Sequence, residues 1–138
     1  MSVNIIVFVC LMTVLCHIID DFVLQNVLAK MKCKDWWLNH PDYKPLYESD
    51  YICALFTHAL EWSIMVHLPF TIAMLYYGVL EDGEIYKIVT LVIVQTLVHM
   101  LIDHLKCNAK LISLCTDQML HYIQIYLSCV VLIGIIRF

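Results

Sequence analysis

Four almost unbroken apolar runs, residues 3–19, 52–77, 85–102 and 111–136, take up most of this 138-residue chain. Each approaches or exceeds the roughly 18–20 residues that carry an α-helix across a bilayer. In hydrocarbon every backbone polar group must be satisfied within the spanning structure, so runs of this length are read as helices. A composition that is 62% hydrophobic and only 14% charged excludes an ordinary soluble globule. The expected fold is all-α, an integral membrane four-helix bundle forming one membrane domain over residues 1–138. Its helices are expected at about 3–25, 51–77, 84–106 and 110–136, with an amphipathic connector at 28–50. The first run has no basic leader and no small-residue cleavage site, and it leads directly into His17, Asp20 and Asp21, so it is read as a retained helix.

The loops carry the orientation. Lys30, Lys32, Lys34, Lys44, Lys106 and Lys110 fall on one side of the four spans, against Lys87 and Arg137 on the other. Basic residues accumulate in cytoplasmic loops, so both termini are expected outside and the connector inside, in a multi-pass protein of the cytoplasmic (inner) membrane. The connector contains Trp36, Trp37, Tyr43 and Tyr47, aromatic residues suited to the headgroup layer, and Pro41 and Pro45, which oppose a continuous helix. Its length suits a lid over a site, or a surface for a protein partner or a second copy of the chain. Membrane lipids are the expected surroundings. A net charge of −4 offers no basic face to nucleic acid. Seven cysteines without a CxxC pair read as small hydrophobes in apolar segments.

Ionisable residues inside the spans are the functional signal. His17 and Asp21 are four apart, as are His99 and Asp103, and Asp117 and His121; His58 and Glu61 are three apart. Residues at these spacings share a helix face, so each span is expected to present an imidazole and a carboxylate together. All four pairs lie in the same half of the bilayer. Gln25, Gln118 and Gln124 are one turn or less from these pairs and are expected to support them. His17, Asp21 and Gln25 define one face, from which Asp20 is turned by about 100°, so only one of the two aspartates is expected to point inward. His40 and His104 are expected at the surface. His67, with no acidic partner at helical spacing, is expected to bond across helices or to a carbonyl freed near Pro69. His-x-x-x-Asp recurs in spans one and three and His-x-x-Glu/Gln in spans two and four, the pattern of a parallel repeat with a site between its halves.

These motifs resemble a known family. H-x-x-x-D-F-x-L-Q (His17, Asp21, Phe22, Leu24, Gln25), His58, H-x-x-x-D-x-x-K (His99, Asp103, Lys106) and D-Q-x-x-H (Asp117, Gln118, His121) are similar to those of short multi-helix membrane proteins of unknown function encoded by bacteria and their phages. The likeness covers nearly the whole chain. It implies no activity, but it implies the same set of polar residues and favours Asp21 over Asp20.

Buried carboxylates are costly unless cations or protons compensate them, and imidazole with carboxylate is a normal ligand set for Zn, Mn or Fe. The expected cofactor is therefore a divalent metal, with His17, Asp21, His58, His99, Asp103, Asp117 and His121 as its ligands. The first functional expectation is a metal-dependent hydrolase. In it Asp117 or Glu61 takes the proton of an activated water, and Lys106 or Lys110 attracts an anionic lipid or phosphoester at the membrane face. The alternatives are a transporter or channel that passes metal ions or protons through the same site, and a small non-catalytic membrane partner protein.

Overall fold

The computed structural model describes residues 1–137, all helical or loop, with no strand among them. In order, the elements are α1 (Val3–Ile19), a π-helical turn (Asp20–Leu24), α2 (Leu28–Met31), α3 (Lys34–Leu38), a 3-10 turn (Pro45–Tyr47), α4 (Asp50–Tyr76), α5 (Asp82–Cys107) and α6 (Leu114–Arg137). α1 with its π turn, α4, α5 and α6 are long and apolar enough to cross a membrane. They form a bundle in which α4 packs between α1 and α5, and α6 closes the ring against α5 and α1.

The bundle is apolar outside and divided inside. Phe8, Leu11, Val94, Leu97, Ile123 and Leu127 point outward, as lipid requires. Within, one half is filled by Val9, Val66, Phe70, Met74, Ile125, Cys129 and Leu132. The other half holds the ionisable residues, and Trp62, fully buried, forms the boundary. Lipid provides no hydrophobic drive between helices, so interhelical hydrogen bonds and close packing hold such a bundle. Ser63 Oγ donates to the Val92 carbonyl across α4 and α5 at 2.9 Å, and Gln124 Nε2 donates to Gln95 Oε1 across α6 and α5 at 2.7 Å.

Local chemistry sets the ends. Gly78 adopts φ +63, and the Val79 and Gly78 amides return to the carbonyls of Met74 and Leu75, closing α4 with a Schellman motif. α6 starts at Leu114 and not at the expected residue 110, for two reasons. Lys110 is left-handed at φ 55, and the Ser113 hydroxyl accepts the Thr116 amide at 3.2 Å, the geometry of an N-cap. The connector breaks into short helices and turns, as its prolines require. Asn108, at the end of α5, clasps it by accepting the Lys34 amide (2.7 Å) and donating to the Lys32 carbonyl (3.1 Å).

The largest departure from expectation lies at the end of the first span. The helix stops being α-helical at Ile19, and the Gln25 amide reaches back five residues to the Asp20 carbonyl at 3.1 Å. This wider turn changes which side chains face the interior.

Candidate metal centre

The bundle gathers most of the paired residues into one buried cluster. His17, Asp20, His58, His99, Asp117 and His121 are wholly enclosed and Asp103 is 1% exposed, while the Asp21 side chain is 4% exposed. The expectation that only one of the adjacent aspartates faces inward is corrected. The π turn brings both to His58 from opposite sides, Asp20 Oδ2 at 3.8 Å from Nδ1 and Asp21 Oδ1 at 3.4 Å from Nε2.

His58 Nε2 is the centre of the first group of donors. Besides Asp21 Oδ1, it lies 3.2 Å from His99 Nε2 and 3.4 Å from Asp103 Oδ2. His99 Nε2 lies 3.6 Å from that same Asp103 oxygen. The two imidazole nitrogens face one another, so either one carries a proton that the other accepts, or both offer lone pairs to a shared cation. Two overlapping sets, Asp21/His58/His99 and His99/Asp103/His121, have ligand atoms within 4.8 Å of one another, close enough to hold a metal ion.

His121 and Asp117 flank this group on α6. His121 Nδ1 is paired with Gln124 Oε1 at 3.3 Å, and Gln124 is itself fixed by donating to the Gln95 carbonyl and side chain. Nε2 therefore points inward, 3.4 Å from Asp117 Oδ1 and 3.8 Å from Asp103 Oδ1. The other Asp117 oxygen accepts from Lys106 Nζ (2.6 Å) and Gln118 Nε2 (3.2 Å). The imidazoles are also held face to face, since His99 stacks between Trp62 and His121 with centroids 4.2 Å away on either side.

His17 stands behind this cluster and not in it as a ligand. Its Nδ1 accepts from Trp62 Nε1 at 2.8 Å, so its Nε2 carries the proton and donates to Gln118 Oε1 at 3.2 Å. Both nitrogens are occupied. Gln118 passes the constraint on, donating to Asp21 Oδ2 at 2.9 Å while Gln25 donates to Asp21 Oδ1 at 2.7 Å. Carboxylates only accept, which fixes the orientation of both amides.

Four other residues differ from expectation. Glu61 is half-buried, and among the described residues no imidazole or lysine pairs with it. Residues three apart on an α-helix differ by about 60°, so turning His58 inward leaves Glu61 at the edge. Lys106 turns in to Asp117, and Lys110 is paired with Asp35 at the surface at 2.6 Å. His67 is buried away from the cluster as expected, but its Nδ1 pairs with the Ser63 carbonyl of its own helix at 2.6 Å. That carbonyl is not the one freed by Pro69, which belongs to Met65, four residues before the proline. His40 lies outside the cluster against Trp36, with ring centroids 4.9 Å apart.

Lys32 is the member of the site that pattern reading overlooked. It is 3% exposed, and its ammonium reaches in from the connector to Asp103 Oδ2 at 2.7 Å. Burial alone would lower its pKa, but Asp103 outweighs burial and raises it above the ordinary lysine value, which keeps the ammonium charged. The connector thus places a charged plug at the cluster. The available signal was a charge imbalance, since the three aspartates expected inward, Asp21, Asp103 and Asp117, call for more than the one lysine of the H-x-x-x-D-x-x-K motif.

Comparison of the chain with protein-family models, with curated proteins and with solved structures returns no match.

Proposed function

We propose that this protein is a membrane-embedded metalloprotein in which Asp21 Oδ1, His58 Nε2, His99 Nε2 and Asp103 Oδ2 hold a zinc-sized divalent cation. The observation that carries this reading is the spacing of those atoms, with four of their separations between 3.2 and 3.6 Å. Ligands at about 2.0–2.1 Å from a tetrahedral zinc ion lie about 3.3–3.4 Å from each other. An octahedral ion at the same bond length brings neighbouring ligands to about 2.9 Å, so the spacing favours zinc over magnesium-like ions. Charge supports the same reading. Lys32 and Lys106 offset two of the four interior aspartates, and one divalent cation offsets the remainder.

The activity we assign is hydrolysis of an anionic lipid or phosphoester at the connector-side face of the membrane. By expanding to five ligands, a divalent cation held here would supply an acidified water or polarise a phosphoryl or carbonyl oxygen. Of the two carboxylates expected to accept the proton, Glu61 stands aside, while Asp117 Oδ1 faces inward without a hydrogen-bond partner. Lys106, 27% exposed, links Asp117 to the surface and is the cation available to an arriving anion. We place the protein in the cytoplasmic membrane of a bacterium, with the short bacterial and phage membrane proteins its motifs resemble. The test is release of phosphate or headgroup from anionic phospholipid vesicles, wild type against Asp117→Asn, with and without zinc. Zinc-dependent release that Asp117→Asn abolishes is expected; equal release from both proteins would sink the assignment.

A second reading, a metal or proton conduit, is favoured by one feature. Buried polar groups continue past Trp62, from Gln124 and Gln95 to Thr96, Ser63 and His67. Zinc or proton flux into sealed vesicles, abolished by Gln124→Leu, would establish it in place of hydrolysis.

A further inference from the structure

Asp117 Oδ1 and His121 Nε2 are both fully buried, both lack a hydrogen-bond partner, and face each other at 3.4 Å. Their other polar atoms are held firmly, Asp117 Oδ2 by Lys106 and Gln118, and His121 Nδ1 by Gln124. This is the arrangement of metal ligands, in which the far atom of each side chain is fixed by a neighbour and the near atom is left free for a cation. Asp103 supplies the third donor. Its Oδ2 belongs to the His58/His99 group, whereas its Oδ1 is 3.8 Å from His121 Nε2.

We infer that the centre takes a second divalent cation, held by Asp117 Oδ1, His121 Nε2 and Asp103 Oδ1, with Asp103 bridging the two positions. The inference rests on the proposed first site. Three protein ligands leave this position open, as catalytic zinc sites are, whereas the first, with four, takes a further oxygen only by expanding its coordination. With this position filled, Asp117 acts as a ligand in place of its proton-accepting role in hydrolysis, and the loss of hydrolysis expected in Asp117→Asn follows from loss of the second cation.

Charge gives the second position its substrate class. One divalent cation with Lys32 and Lys106 already supplies as much positive charge as four carboxylates carry. A second cation leaves two positive charges in excess inside the membrane, which is costly unless an anion accompanies it. A phosphoester brings the compensating charge and can be clamped between two ions. The second cation and a phosphate group therefore bind together, beside Lys106.

The experiment is zinc titration of the full chain in detergent, with and without inorganic phosphate. The expected result is one zinc per chain without phosphate and a second with it, phosphate and the second zinc tightening each other by about 5–150-fold. Asp117→Asn and His121→Ala should keep the first zinc and lose the second. If either variant fails to fold, zinc-edge absorption of the wild type decides, since a metal–metal vector of about 3.5–4 Å should appear only with phosphate. One zinc under all conditions overturns this inference and leaves the first site standing. No zinc at all overturns both.

Discussion

Lys32 Nζ donates to Asp103 Oδ2 at 2.7 Å, joining the connector to the third span inside the bundle through the very oxygen shared by His58 and His99. The lysine both supports the cluster and rivals any cation that enters it. Two unit charges about 4 Å apart repel by about 4 kcal/mol at an effective dielectric of 20, and a divalent ion doubles this.

Replacing the plug should therefore have opposite effects on stability and on binding. Lys32→Met leaves Asp103 buried without its ammonium partner, which should destabilise the metal-free protein by about 3–5 kcal/mol. The same change should raise zinc affinity at least tenfold in a competition with a chromophoric chelator. In the wild type, because the Lys32 pKa is raised, the contribution of the lysine should hold from neutral pH up to the ordinary lysine value of about 10.5 and fade only as pH climbs through the raised one.

His17 and His58 should separate in the same assay. His58→Ala removes a donor and should abolish tight zinc binding, whereas His17→Phe only loosens Gln118 and should weaken it by about 10–100-fold. Equal losses from the two would show that His17 binds the metal directly.

Regular helices made much of this legible. His99 with Asp103 and Asp117 with His121 lie on unbroken α-helix, where a spacing of four guarantees a common face, and they meet as expected. The π turn is different, because its extra residue changes the register after Ile19 and no pattern in the sequence marks it; Asp20 enters the interior for that reason. The spacing puts His17 among the ligands, whereas its ring nitrogens are engaged by Gln118 and by Trp62, a residue of another helix that reads as ordinary apolar core. Lys32 was counted only for the orientation it gives the loop, since nothing in a polar connector shows that one lysine folds back into the bundle.

Orientation has a direct check. With the connector on the cytoplasmic side, a membrane-impermeant thiol reagent applied to intact cells should leave Cys33 unlabelled in a variant lacking the other cysteines. The partly exposed thiol should react once the membrane is opened. Labelling in sealed cells would place the connector, and the metal centre beneath it, at the outer face.

Metal content is the decisive observable. The wild type and Asp103→Asn, purified without chelator, reconstituted with zinc and washed free of loosely held ions in phosphate-free buffer, should be compared by elemental analysis. Asp103 touches His58 and His99 through Oδ2 and His121 through Oδ1, and Asn keeps its shape while removing its charge. The account predicts one zinc per wild-type chain and close to none in Asp103→Asn, with both proteins helical and monodisperse. A folded wild type that retains no zinc, or an Asp103→Asn variant that retains as much as the wild type, would contradict it.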